Sequence, residues 1–94
     1  MIQTTSYPVP EPGKMILKLC KHFRHKVPAE FSETAGRVDF QPGLCFFSTE
    51  PGLLLIRIEG ENEQEIARLH YIIGEHLARF VRVEGLQLDW QPVS

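Results

Sequence analysis

The sequence has only two cysteines, Cys20 and Cys45, too few for the disulfide framework that staples small secreted domains. Both are expected as reduced thiols, which points to the cytoplasm. The start lacks a charged n-region followed by an apolar h-region, so a secretory signal is not expected. No apolar run approaches the roughly 18–20 residues that span a bilayer, which argues against membrane attachment. Charge of one sign is also scarce. Ten Lys and Arg stand against twelve Asp and Glu, a formal net charge of −2 that offers no field for nucleic acid. There is no repeat, no low-complexity tract and no glycine-rich phosphate loop after a strand. What is left, with 43% hydrophobic residues to build a core, is a single domain over residues 1–94.

Pro8, Pro10, Pro12 and Gly13 make residues 1–11 a proline-rich, extended N-terminal segment, with a weak strand pattern over 2–6. Ile16, Leu19, Cys20 and Phe23 then recur at i, i+3, i+4 and i+7, which predicts a helix over residues 12–25. Three strand-like runs follow. Val27, Ala29 and Phe31 alternate with polar residues. Val38 and Phe40 lead through a bend or bulge at Pro42-Gly43 into residues 44–47. Leu54, Ile56 and Ile58 mark the strongest strand. Asn62, with Glu65 three residues on, has the form of a capping box and opens a second helix with Ile66, Leu69, Ile73, Leu77 and Phe80 inward. Gly74 inside that helix costs about 1 kcal/mol relative to Ala, which close approach of another backbone would explain. Leu86, Leu88 and Trp90 alternate in a last strand ended by Pro92. The order is (β)αβββαβ. Short turns between strands imply an α+β two-layer sandwich: an antiparallel sheet of four to five strands with two helices on one face.

Chemistry concentrates in one stretch, Leu19-Cys20-Lys21-His22-Phe23-Arg24-His25-Lys26. Half of the ten Lys and Arg fall between Lys14 and Lys26. Lys14, Lys18, Lys21 and His25 line one helical face away from the apolar stripe. With His22 and Lys26 they are candidate contacts for a small anion such as a carboxylate or phosphate. A solvated charged face is the plainer alternative. Cys20 and His22 point roughly 160° apart on a helix, so they share neither a metal ion nor a thiolate–imidazole pair. His22 and His25 are three residues apart, and His76 approaches His22 if the helices lie side by side. His22, His25 and His76 are therefore the candidate ligands for a transition metal, the one cofactor considered. No catalytic residue is nominated, and an enzyme is not expected.

A sheet with helices on one face shows polar residues on the other. Here Leu53 and Leu55 oppose the inward Leu54, Ile56 and Ile58, and residues 44–47 are apolar on both sides. Cys45, Phe47, Leu53 and Leu55, with Tyr71 on the outer side of the second helix, are candidate interface residues for a homo-oligomer or a protein partner.

Taken together, Leu19-Cys20-Lys21-His22-Phe23 with His25-Lys26, Gly36-Arg37-Val38-Asp39-Phe40 with Gly43 and Cys45, and His76-Leu77-Ala78-Arg79-Phe80 resemble the small bacterial proteins grouped as domain of unknown function 2218. The resemblance runs from the first helix to Trp90. It implies an iron-related setting, through association with siderophore uptake, and a first strand that the proline-rich start here departs from. The reading from the residues is a cytoplasmic, non-enzymatic binding module built on the basic, histidine-bearing helix. The rivals are a metal-binding protein and a purely structural dimerisation domain.

Overall fold

In the computed structural model, which describes residues 1–93, the chain runs β1 (Ile2–Pro8), α1 (Pro12–Phe23), β2 (Ala29–Phe31), β3 (Ala35–Asp39), β4 (Leu44–Glu50), β5 (Leu53–Glu59), α2 (Glu63–Val81), β6 (Gln91–Pro92). The strands form one antiparallel sheet of six in the order β2-β3-β4-β5-β1-β6. The helices touch each other over one face of it, and their apolar stripes join the inward strand residues in one core.

The α1 stripe is Met15, Ile16, Leu19, Cys20 and Phe23. Burying side chains such as Ile16, Leu19 and Phe23 stabilises the fold by roughly 1.5–3 kcal/mol each. Gly36 on β3 lets the helix settle: a Cβ there would stand 2.8 Å from the Cys20 sulfur. The helix stops at Phe23, short of the expected His25. Arg24 keeps helical backbone, but the Lys26 and Val27 N–H groups both donate to the Phe23 carbonyl, a tightened last turn that Pro28 prevents from continuing. At the start of α2, Asn62 Oδ1 accepts from the Glu65 N–H at 2.9 Å. Glu65 Oε2 in turn accepts from the Glu61 N–H at 2.8 Å, one residue before the usual capping-box partner.

The structure bears out and extends the weakly marked first strand, and corrects the expected order at the bend and at the C-terminal strand. The N-terminal segment contains a full strand, paired with β5 from Ile2↔Glu59 to Pro8↔Leu53 and flanked on its other side by β6. Residues 37–47 are two strands, and the bend at Gln41-Pro42-Gly43 is the hairpin between them. Its Gln41–Pro42 peptide is cis and Gly43 has φ 91°; the Phe40 N–H donates to the Gly43 carbonyl, and β3 and β4 pair on either side where a bend or bulge within one strand was expected. Leu86, Leu88 and Trp90 do alternate inward, but only Gln91–Pro92 forms strand hydrogen bonds. The reversal at Pro42 also settles which side of β4 faces the helices. Cys45 is 0% exposed and Phe47 2%, so these two interface candidates belong to the core. Phe46 takes the outward position with half-buried Leu53 and Leu55 across the sheet, and Tyr71 is exposed on α2.

Candidate functional site

Where α1 ends, α2 lies against it. The His22 and His76 rings are 4.8 Å apart between centroids, tilted by 52°. Phe23 packs 4.8 Å from His76 and edge-on to Phe40, and Phe80 meets His22 edge-on at 6.0 Å. The two imidazoles thus rest against an aromatic wall, His22 exposed and His76 half-buried.

The His76 ring has a defined hydrogen-bonding state. Its Nδ1 lies 2.7 Å from the Ile72 carbonyl, one turn back on α2. A carbonyl only accepts, so Nδ1 carries the hydrogen and Nε2 is the ring nitrogen not used by the helix backbone. His22 is held below the ordinary histidine range. Partial burial is the first cause; His76, Arg79, His25 and Lys26 add to it. Each of those neighbours disfavours a further positive charge. On the α1 side no Asp or Glu occurs between Glu11 and Glu30, while on α2 Glu75 precedes His76 and stands one turn before Arg79. Among the described residues the ion pairs are Lys14–Glu11 and Arg57–Glu59, both away from this end of α1. The α1 C-terminus contributes a partial negative charge of about half a unit. Full charges on Lys21, Lys26 and Arg79 outweigh it, so the local field is positive.

The structure divides the residues nominated from sequence. Lys21, His22, His25 and Lys26 gather at the end of α1, the last two in the turn beyond it. Lys14 is tied to Glu11 at 3.1 Å near the N-terminus of α1, roughly 10 Å back along the axis from Lys21. Lys18 sits between. Arg24 lies over the Phe31 ring at 5.2 Å, drawn toward β2. Of the metal candidates His22 and His76 meet, while His25 is exposed in the turn. Among the described residues no three His, Cys, Asp or Glu side chains are grouped to hold a metal ion. Arg79 was missed. Its signal was its place three residues after His76 on the same helix.

The thiols offer no nucleophile. Cys20 is fully buried and burial pushes its thiol up to about 11; Cys45, also buried beside it, is raised well above the usual thiol range. One concavity of about 800 Å³ is on the outer sheet face over Phe46 and Leu55, and one of about 780 Å³ lies between α2 and residues 82–86 with Arg79 in its lining. The histidine pair lines neither. His70, on the other flank of α2, has different company: Gln3 Oε1 accepts from its Nε2 at 2.6 Å, and Trp90 stacks on its ring at 4.8 Å. It clasps the C-terminal segment to the domain. Among the described residues no helix is long and apolar enough to cross a membrane.

No curated protein matches the chain. The NMR structure of PA4090 from Pseudomonas aeruginosa superposes with a TM-score of 0.82 at 26% identity, covering 97% of this chain and 95% of that one. A bacterial family described as "Uncharacterized protein conserved in bacteria" (DUF2218) matches residues 4–91, from within β1 to the first residue of β6 and including both histidine-bearing helices. The chain belongs to the DUF2218 family.

Proposed function

We propose that this protein is a non-enzymatic, cytoplasmic binding module that holds an anionic group at the C-terminal end of α1. His22 supplies a ring N–H donor, and Lys21, His25, Lys26 and Arg79 the surrounding charge; the His76 Nδ1–H is already given to the Ile72 carbonyl. The observation that supports this reading is the basic cluster around His22, with His76 and Arg79 from α2 and His25 and Lys26 from the turn after α1. A cluster of like charges favours an anion from outside. The open surface suits an ionic group presented to the protein rather than a substrate enclosed for reaction. The iron-related setting comes from the family resemblance alone, and names a ferric-siderophore anion as the ligand to try beside simple anions.

The test is a ¹H–¹⁵N NMR titration with inorganic phosphate and with gallium(III) citrate, a diamagnetic stand-in for a ferric complex. Shifts confined to Lys21, His22, Lys26, His76 and Arg79 support the reading. Shifts spread evenly over the lysines, Lys14 included, would overturn it.

One observation favours a second reading, a transition-metal site through His22, His25 and His76. The His76 Nδ1–H bond to Ile72 leaves Nε2 bare, as in imidazoles oriented for a metal. The cations nearby oppose a divalent ion, which puts this reading second. Stoichiometric zinc, copper or iron in untagged protein, lost in a His22→Ala, His76→Ala variant, would reverse that order.

The third assignment is self-association through the outer sheet face. Its edge strands are short, β2 of three residues and β6 of two, which discourages edge-to-edge pairing and leaves the half-buried Phe46, Leu53 and Leu55 as the sticky surface. Sedimentation at high micromolar concentration decides it: a dimer dissociated by Leu55→Glu is expected, a strict monomer refutes it.

A further inference from the structure

Independently of the anion-binding reading, we infer that the outer side of α2 pairs with the same side of a second copy of this chain, the two helices running antiparallel about a two-fold axis beside Tyr71. The buried stripe Ile66, Leu69, Ile73 and Leu77 leaves the outer side of the helix without a cover. There Ala67, Tyr71, Gly74 and Ala78 recur at spacings of four, three and four, the period of a seam between two helices. Tyr71 stands out from it, 70% exposed. Gly74 is a recess: a Cβ there would meet nothing within 4 Å, and the residue lines the groove of about 780 Å³ between α2 and residues 82–86. A projecting ring and a recess one turn apart make the face complementary to itself, as a two-fold contact requires.

Charge chooses the occupant and the direction. An antiparallel pairing that sets Tyr71 against the second copy's Gly74 also sets Ala67 against its Ala78. The same register brings exposed Arg68, on the solvent edge of the seam, beside the second copy's exposed Glu75. At the ends, Glu63 in the first turn of α2 meets the second copy's Arg82 at the helix C-cap. Every one of these charged contacts joins unlike signs, and the two-fold makes each of them twice. A parallel pairing would set Arg68 on Arg68 and Glu75 on Glu75, which repels. Among the described residues none of these four is in an ion pair within its own chain. Arg68 spends one of its five donors on the Pro42 carbonyl, at 3.3 Å. The antiparallel sense also sets each helix's positive end beside the other's negative end. The seam is about 16 Å long, so the contact is small and the dimer weak, with a Kd of about 100 μM.

Sedimentation equilibrium over concentrations that bracket about 100 μM is the test. The wild-type protein is expected to dimerise reversibly, and less tightly as salt is added. Arg68→Glu sets like charges together twice in every dimer, and Glu75→Arg does the same with the opposite sign. Each variant alone is expected to associate about tenfold more weakly. Mixing the two variants restores unlike pairs in the heterodimer, and affinity should return to within about threefold of wild type. Arg68 and Glu75 are two turns apart on one helix, so no contact within a chain can produce that recovery. Both positions are exposed, and an NMR spectrum unchanged away from α2 shows that each variant is folded. Tyr71→Ala removes the projecting ring without touching charge and should also weaken the dimer. A mixture that associates no better than either variant alone overturns the inference. So does a wild-type protein that stays monomeric. A dimer dissociated by Leu55→Glu but indifferent to Arg68→Glu overturns it as well, and assigns the outer sheet face instead. Each of these results leaves the anion reading to its own titration.

Discussion

α2 opens with Asn62 capping the Glu65 N–H and acids Glu63 and Glu65 in its first turn, and ends at Arg82 with φ 60° in a left-handed cap. α1 opens at Glu11 with no side-chain cap and no acid in its first turn; Pro12 at the first position is its one local start signal. The two helices share a sheet face yet are stabilised differently. α2 carries its instructions in its own residues. α1 depends on what lies beneath it, where Gly36 opens room for Cys20 and Ile16. The difference bears on function. The helix with few local signals displays the basic cluster, so its geometry is set by packing, and the well-capped helix brings His76 and Arg79 to it.

Substitutions at Gly36 beneath α1, and at the cap and Gly74 of α2, break this comparison in graded steps. Gly36→Ala places a Cβ 2.8 Å from the Cys20 sulfur and 3.2 Å from Ile16 Cγ2. Overpacking of this kind costs about 1–3 kcal/mol, read as a lower chemical-denaturation midpoint, and it should disturb the His22 and His76 resonances together. An unchanged midpoint would mean that α1 is not held by this contact. Asn62→Ala removes the α2 cap and costs about 1 kcal/mol, roughly 4–8 °C in Tm, leaving the His22 environment unchanged. Gly74→Ala works the other way. A Cβ there meets nothing within 4 Å, so the close backbone approach expected from the sequence is not present, and Ala should stabilise by about 1 kcal/mol. Loss of stability in that variant would point to a contact outside the monomer.

The smallest effect is with pH. His22 and His70 both have folded-state pKa values below the ordinary value near 6.5. The unfolded chain then binds more protons, so stability is full above about pH 7 and falls as pH drops through about 6.5 toward the folded values. Tm should decline over that interval, and His70→Gln should flatten part of the decline. Added salt sharpens the contrast. For His70 the cause is burial, which salt leaves alone; for His22 the charged neighbours also contribute, and that share is screened.

Both helices and β5 were legible in the sequence because an apolar period, a cap or a clean alternation marks each. β1 was not, because its inward positions are Gln3, Thr5 and Tyr7, and a strand whose core face is polar leaves no hydrophobic alternation to read. Its reward is specific: Gln3 is the acceptor for His70. Residues 44–47 misled for the opposite reason. With every position apolar, phase is undetermined, and only the hairpin at Pro42 decides that Cys45 and Phe47 face in and Phe46 out. At the candidate site the lysines and His22 were visible as a run. Convergence with His76 was foreseen as conditional on helix placement, and Arg79 joined only once that placement was known.

The position of β1 between β5 and β6 has a consequence for how the chain acquires its shape. Thr5 must find Ile56, and Gln3 must find Pro92. On a ribosome adding roughly 5–20 residues per second, the first strand emerges seconds before its neighbours exist. It waits unpaired, and since its helix-facing positions are polar it waits with little apolar surface for another chain to seize. The same residues that hide this strand from a pattern search protect the newborn protein until its sheet can close.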